Sequence, residues 1–305
     1  MTAIPAWRMQ SERGSRMLMR FIVAVGLRLG RPAGRALLYP ICAYFLLFSR
    51  RARIASRDYL TRVFGRRPTL RERFRHYHCF GSQIYDRVHL LTQPLGPSDC
   101  RVDGEEAFAA AVALGRGVLL MGAHIGSFEA MRAAARARGP ERLRVLMYEE
   151  NAQKIAGVLA ALEPNARRQV IALGRPQTML EVRDALQAGD VVGLLADRFV
   201  AGDRVRRCRF LGELAPFPEG PFALAAAVGA PVVLFSALQT DGRLYRIRFE
   251  PFAERIELPR GARDAALQAL CERYAQWLEA RCREAPYNWF NFFDFWGVSP
   301  APDGH

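Results

Sequence analysis

Lysine is nearly missing from this chain: 44 of its 305 residues are Lys or Arg, and Lys154 is the one lysine among them. Cysteine is sparse as well. Cys42, Cys79, Cys100, Cys208, Cys271 and Cys282 are scattered with no CxxC pair, which argues against a disulfide scaffold or zinc ribbon and for buried free thiols in a reducing compartment. The five histidines show no HExxH pattern and are too dispersed to suggest a metal site. Without a GxSxG elbow, Ser127 is a poor hydrolase nucleophile, and neither a P-loop nor a GxGxxG turn occurs. No apolar run reaches the roughly 20 residues that a helix needs to cross a bilayer. A secretory signal is not expected either, because the apolar run comes late, Arg50 and Arg51 follow it, and no small-x-small site lies beyond it.

Acidic residues are depleted in one region above all. Residues 1–75 hold 17 arginines against Glu12, Asp58 and Glu72, so this segment carries the whole net charge of +14, while the other 230 residues balance 27 basic against 27 acidic groups. Such asymmetry points to an anionic partner at the N-terminal end. The same segment is rich in apolar residues: Met17–Leu29 is broken by Arg20 and Arg28, and Ala36–Ser49 has no charge and one proline, Pro40. Arginine interleaved with apolar stretches favours an anionic membrane surface over nucleic acid. The expectation is a monotopic anchor lying in the interface, on the cytoplasmic face. A pair of buried core helices under a basic surface is the alternative.

Beyond this point the pattern changes. Residues 50–93 read as polar helix ending near Pro94. Apolar runs of four to eight residues then alternate with helical segments: strands at 117–123, 143–148, 170–173, 191–196, 231–238 and 244–249, and helices at 127–138, 152–162, 178–188, 220–228 and 262–284. This predicts an α/β fold with a mostly parallel sheet flanked by helices, divided as an Arg-rich helical membrane-associating segment over 1–95 and an α/β domain over 96–305.

Chemistry concentrates in Gly122-Ala123-His124-Ile125-Gly126-Ser127-Phe128-Glu129. His124 follows the carboxyl end of a predicted buried strand, where ligands and reacting groups collect in open α/β sheets. Gly126 permits a tight turn into the next helix, and Glu129 falls in its first turn, within reach of folding back to the imidazole. A carboxylate on one ring nitrogen and a hydroxyl on the other would make a general-base pair. His76, His78 and His89 lack an acid at that spacing and read as surface or partly buried helix histidines.

GAHIGSFE resembles the H-x4-D/E motif of the lysophospholipid acyltransferase superfamily, in particular its lipid A late acyltransferase (lauroyl/myristoyl transferase) family. Three further blocks follow in that superfamily's order: Gly193-Leu194-Leu195-Ala196-Asp197-Arg198, Phe217-Pro218-Glu219-Gly220-Pro221 and Gly229-Ala230-Pro231-Val232-Val233. The likeness spans about residues 15–297 and extends to a Trp-bearing aromatic tail, Pro286–Trp296. It implies that His124 and Glu129 are catalytic and that Asp197, Arg198, Phe217, Glu219 and Gly220 bind the acceptor, with Arg198 meeting its phosphate. On the residues alone, Arg198 suits a phosphate or carboxylate, or equally a salt bridge to Asp197 or Asp203.

The resemblance further implies transfer of a fatty acyl group from an acyl carrier protein or coenzyme A thioester to a lipid hydroxyl at the cytoplasmic face of the inner membrane, with no metal or other cofactor. Membrane lipids and the carrier are the expected partners, and nucleic acid is not. The acceptor would be a lipid A precursor or related glycolipid. The small Gly126 and Ser127, where lipid A enzymes commonly carry bulkier residues, leave an aryl-polyene-type or other lipid open. A non-catalytic lipid- or nucleic-acid-binding protein is the reading from another class.

Overall fold

The buried strands form where apolar runs leave no room for a polar face. The computed structural model describes residues 34–92, 95, 99–138, 143–148, 170–175, 177–200, 202–240 and 244–297. β2 (Val118–Gly122) is buried throughout and lies at the middle of a seven-stranded sheet. With β1 (Cys100–Asp103), β3 (Leu143–Tyr148), β4 (Val170–Leu173), β5 (Val191–Leu195), β8 (Val232–Thr240) and β9 (Leu244–Ala253), the order is β1-β9-β8-β2-β5-β3-β4. Every neighbouring pair is parallel except β8 and β9, which run antiparallel. The predicted α/β class with a mostly parallel sheet is therefore what the chain adopts. The expected 152–162 helix and the Met17–Leu29 stretch lie outside the described residues.

Alternation along the central strands sorts side chains to the two faces. Leu119 and Met121 of β2 point into one core with Val192, Leu194, Val232 and Leu234. Helices α2 (Arg50–Phe64), α6 (Thr178–Gln187), α7 (Gly220–Val228) and α8 (Arg263–Glu284) cover that face through Leu60, Val182, Phe222 and Leu278. Val118 and Leu120 point the other way, with Val233 and Phe235, beneath α5 (Phe128–Arg138), α4 (Glu105–Ala113) and α3 (Leu70–Thr92). The Arg-rich helices α2 and α3 thus share the cores of the α/β body.

A helix over 34–48, α1, packs on α3 through Leu38, Cys42 and Leu46, four residues apart, against Tyr77 and Tyr85. Arg35 donates to Asp86 at 2.6 Å, and the buried Asp86 also accepts from Tyr245 at 3.0 Å, tying α1 to α3 and β9. Among the described residues no helix is long and apolar enough to cross a membrane.

One element departs from expectation. Val205–Phe210, outside every strand and helix that periodicity predicts, form β6, paired antiparallel with β7 (Glu213–Pro218). The connecting Leu211 and Gly212 both have positive φ, 51° and 90°, the geometry of a type I′ turn.

Candidate active site

The sheet register builds the site. β2 and β5 pair side by side up to Gly122 opposite Leu195, and Ala196 N–H continues the ladder to the Gly122 carbonyl at 2.9 Å. Two residues further on each chain stand His124 and Asp197. Asp197 Oδ1 accepts from His124 Nδ1 at 2.7 Å and from the His124 backbone N–H at 3.1 Å, and Asp197 Oδ2 accepts from the Trp289 indole at 3.1 Å. Because a carboxylate only accepts, Nδ1 carries the proton and Nε2 is left as the basic nitrogen.

Electrostatics agree with that assignment. Burial alone would raise the Asp197 carboxyl, but the His124 ring, the nearby Arg198 and the indole together bring it down to about 2. Burial and Arg198 lower the His124 pKa, outweighing the pull of Asp197. At neutral pH the pair is therefore carboxylate and neutral imidazole. The imidazole keeps 32 % of its surface open while Asp197 is sealed beneath it at 2 %, so the ring, and not the carboxylate, faces what binds.

The turn after β2 is held from two sides. Gly126 N–H donates to the Asn288 carbonyl and Ser127 N–H to the Ala237 carbonyl, both at 2.9 Å, while Phe290 N–H donates to the His124 carbonyl at 2.9 Å. Gly126 has φ +70°, and a Cβ there would stand 2.0 Å from the Ala237 oxygen. Glycine is needed for this backbone path. Ser127 is buried, and its Oγ accepts from Ala130 N–H at 3.1 Å, capping α5. The two small residues thus serve the backbone geometry of the turn.

Glu129 sits in the first turn of α5, as its spacing predicts, but its carboxylate is ion-paired with Arg87 of α3. Among the described residues no hydrogen bond joins it to His124. The carboxylate on the imidazole is Asp197, expected from the resemblance to bind the acceptor.

Arg198 lies beside the pair. Its Nη2 donates to the Phe290 carbonyl at 3.0 Å and its guanidinium stands 5.4 Å over the Phe293 ring. The aromatic tail is therefore its hydrogen-bond and ring partner, and the charge of Asp197 acts on it from nearby. Phe217 of β7 is fully buried, with its ring against Phe210, Tyr274 and Phe295. Glu219 precedes α7, which begins at Gly220, and pairs with Arg206 at 2.5 Å; Arg206 also holds Asp264 at 2.5 Å. Arg206 thus fastens the hairpin to the start of α7 through Glu219 and to α8 through Asp264.

Trp289 stands out in the sequence only as one member of an aromatic tail. Besides donating to Asp197, its ring packs edge-on against Tyr59, Phe210 and Phe295. Its carbonyl accepts from His76 Nε2 at 2.9 Å, which fixes that tautomer and leaves His76 Nδ1 to accept from Ser56 at 2.9 Å. His76 is fully buried, which depresses its pKa to about 4 despite the Trp289 carbonyl, so it is a neutral structural histidine.

No family model matches the chain, and a search among curated proteins finds no match.

Proposed function

We propose that the protein is an O-acyltransferase that moves a fatty acyl group from an acyl carrier protein or coenzyme A thioester to a hydroxyl of a lipid acceptor, at the cytoplasmic face of the inner membrane. The observation that carries this reading is the half-open imidazole of His124 at the carboxyl end of the central strand, its Nδ1–H held by the buried Asp197 so that Nε2 is a base at neutral pH.

The chemistry follows in balance. His124 Nε2 takes the proton of the acceptor hydroxyl as the oxygen attacks the thioester carbonyl carbon. The C–S bond breaks, the imidazolium returns its proton to the departing thiolate, and an ester and a free thiol result. Asp197 stabilises the transient imidazolium without being protonated. No covalent enzyme intermediate is needed. Glu129, held by Arg87, acts in this reading on the far side of the turn, fixing the start of α5 and therefore the loop that carries His124.

Arg198 is the proposed contact for an acceptor phosphate or carboxylate, since a guanidinium can hold the Phe290 carbonyl with one N–H and an anion with others. Arg198→Lys is expected to raise the acceptor KM about tenfold, because a point charge cannot reproduce the fork. Steady-state kinetics with a thermal melt checks this: a lowered melting point at unchanged KM would assign Arg198 to the tail alone.

The acceptor is identified by deleting the gene in its host, complementing with wild type or His124→Ala, and comparing lipid A and total lipids by mass spectrometry. A lipid A or glycolipid acceptor predicts loss of one acyl chain there. An aryl-polyene-type acceptor predicts unchanged lipid A and loss of a different acylated product. No change in any lipid would contradict the enzyme reading.

A further inference from the structure

Among the described residues nothing packs on the outer side of α1, and that side is apolar. Its inward side is spoken for by Leu38, Cys42 and Leu46, packed on α3, and its one charged residue, Arg35, is tied to Asp86. The opposite side presents Ala36, Pro40, Tyr44, Leu47 and Phe48, all exposed and none charged, and Tyr39 lies at its edge with its ring against Phe74 and His78 of α3. Tyr39 and Tyr44 are more than half exposed, and Leu47 and Phe48 are 61 % and 66 % exposed. A helix that is apolar around its whole circumference needs an apolar neighbour on every side, and contiguous exposed patches of this kind mark interaction surfaces.

What borders the patch indicates the partner. α2 begins two residues after α1 ends and continues the exposed side with Arg50, Arg51, Ile54 and Arg57, so that an exposed isoleucine is flanked by arginines one turn away on either side. Arg53 fixes the junction, donating to the Leu47 carbonyl at 2.6 Å and to the Leu46 carbonyl at 3.4 Å. Apolar and tyrosine side chains edged by arginine are the composition of a helix lying in the headgroup region of an anionic bilayer.

We infer that the outer side of α1, with the adjoining first turns of α2, is the surface on which the protein lies against an anionic lipid bilayer, with α1 parallel to the membrane plane and not across it. The inference deepens the lipid-acceptor reading above by naming the face that meets the lipid, but it stands on exposure and charge and not on the chemistry. The inward side of α1 is fastened to the α/β body, so α1 has no freedom to leave the body and span. α3, which carries α1, also carries Arg87 and His76, and its Phe80 packs on Phe290 and Phe292 of the tail that clamps the His124 turn. A bilayer docked on α1 is thus separated from the site by one helix and the aromatic tail.

The test uses the full chain and vesicles of phosphatidylcholine containing about one third phosphatidylglycerol, without substrate. Leu47→Glu with Phe48→Glu is expected to lower vesicle partitioning at least about tenfold, because two exposed apolar side chains lose their place in lipid. Arg50→Gln with Arg51→Gln is expected to lower it roughly fivefold per arginine at low salt and to flatten its salt dependence. Melting points should stay near wild type in both. Unchanged partitioning of the glutamate variant overturns the inference. So does a fall in its melting point or a change in oligomeric state at unchanged partitioning, which would show that residues 1–33 or a second copy covers the patch. His124→Ala separates the two proposals: if neither it nor wild type transfers an acyl group and both bind vesicles equally, the acyltransferase reading fails and the docking surface stands.

Discussion

Asp197→Asn is expected to lower kcat by about 10² to 10⁴ while leaving the fold intact, and His124→Ala to abolish transfer. An asparagine in place of the carboxylate keeps the size but loses the negative charge that sits 2.7 Å from Nδ1. The imidazolium formed in the transition state then has no counter-charge, and an asparagine amide that turned its N–H toward the ring would favour the wrong tautomer. The pH profile gives a second readout. The His124 pKa lies below its ordinary value, so activity in the wild type should persist below about pH 6.5 and fall only as the pH drops through the depressed pKa. Asp197 is the group that raises that pKa, so removing its charge should move the acid limb lower still. Glu129→Gln breaks the pair with Arg87 and is expected to reduce the rate by about 10² through the position of the turn, without moving the limb. An acid limb that moved in Glu129→Gln and stayed in Asp197→Asn would reverse the roles of the two carboxylates.

Gly126→Ala carries the second large effect. The added Cβ would stand 2.0 Å from the Ala237 carbonyl oxygen, which is backbone and is already hydrogen-bonded by Ser127 N–H. Nothing there can yield without moving the end of β8 or the His124 turn. The expected loss is about 3 kcal/mol or more, together with most of the activity of the protein that still folds. Gly65→Ala is the matched control: φ is +66° and nothing lies within 4 Å of the added atom, so only the conformational cost of about 1 kcal/mol applies. Thermal or urea unfolding of the two variants separates the clash from the backbone conformation. Equal losses would mean that the close approach to Ala237 has no energetic weight.

Legibility of the fold followed periodicity. The runs at 117–123, 191–196 and 231–238 read as buried strands because each is apolar on both faces, and β2, β5 and β8 lie there. The β6–β7 hairpin was not legible, because its turn is Leu211-Gly212 and lacks the Asn-Gly or Asp-Gly signal, while Val-Arg-Arg-Cys-Arg-Phe looks like a solvated basic loop. β1 and α4 are short, at four and nine residues, and carry little pattern.

The site was half legible. His124 could be placed from its position after a strand. Its partner could not, because Asp197 is 73 residues away and reaches it through the register of β2 against β5, and register is set by tertiary packing that a single sequence does not display. Local spacing pointed to Glu129 because a contact five residues away is the only kind that spacing can reveal. The competing ion pair to Arg87, from a helix 42 residues earlier in the chain, is likewise a tertiary fact. Trp289 was visible as one of many aromatics, and only its indole N–H on Asp197 sets it apart.

The most direct test of the central claim is acyl transfer by the purified full chain, presented with an acyl carrier protein or coenzyme A thioester and a hydroxyl-bearing lipid in vesicles, with ester product and released thiol measured together. The account predicts ester and thiol in equal amounts from the wild type and neither above the buffer rate from His124→Ala. Thiol release without ester, no product from the wild type, or equal transfer by His124→Ala would contradict it.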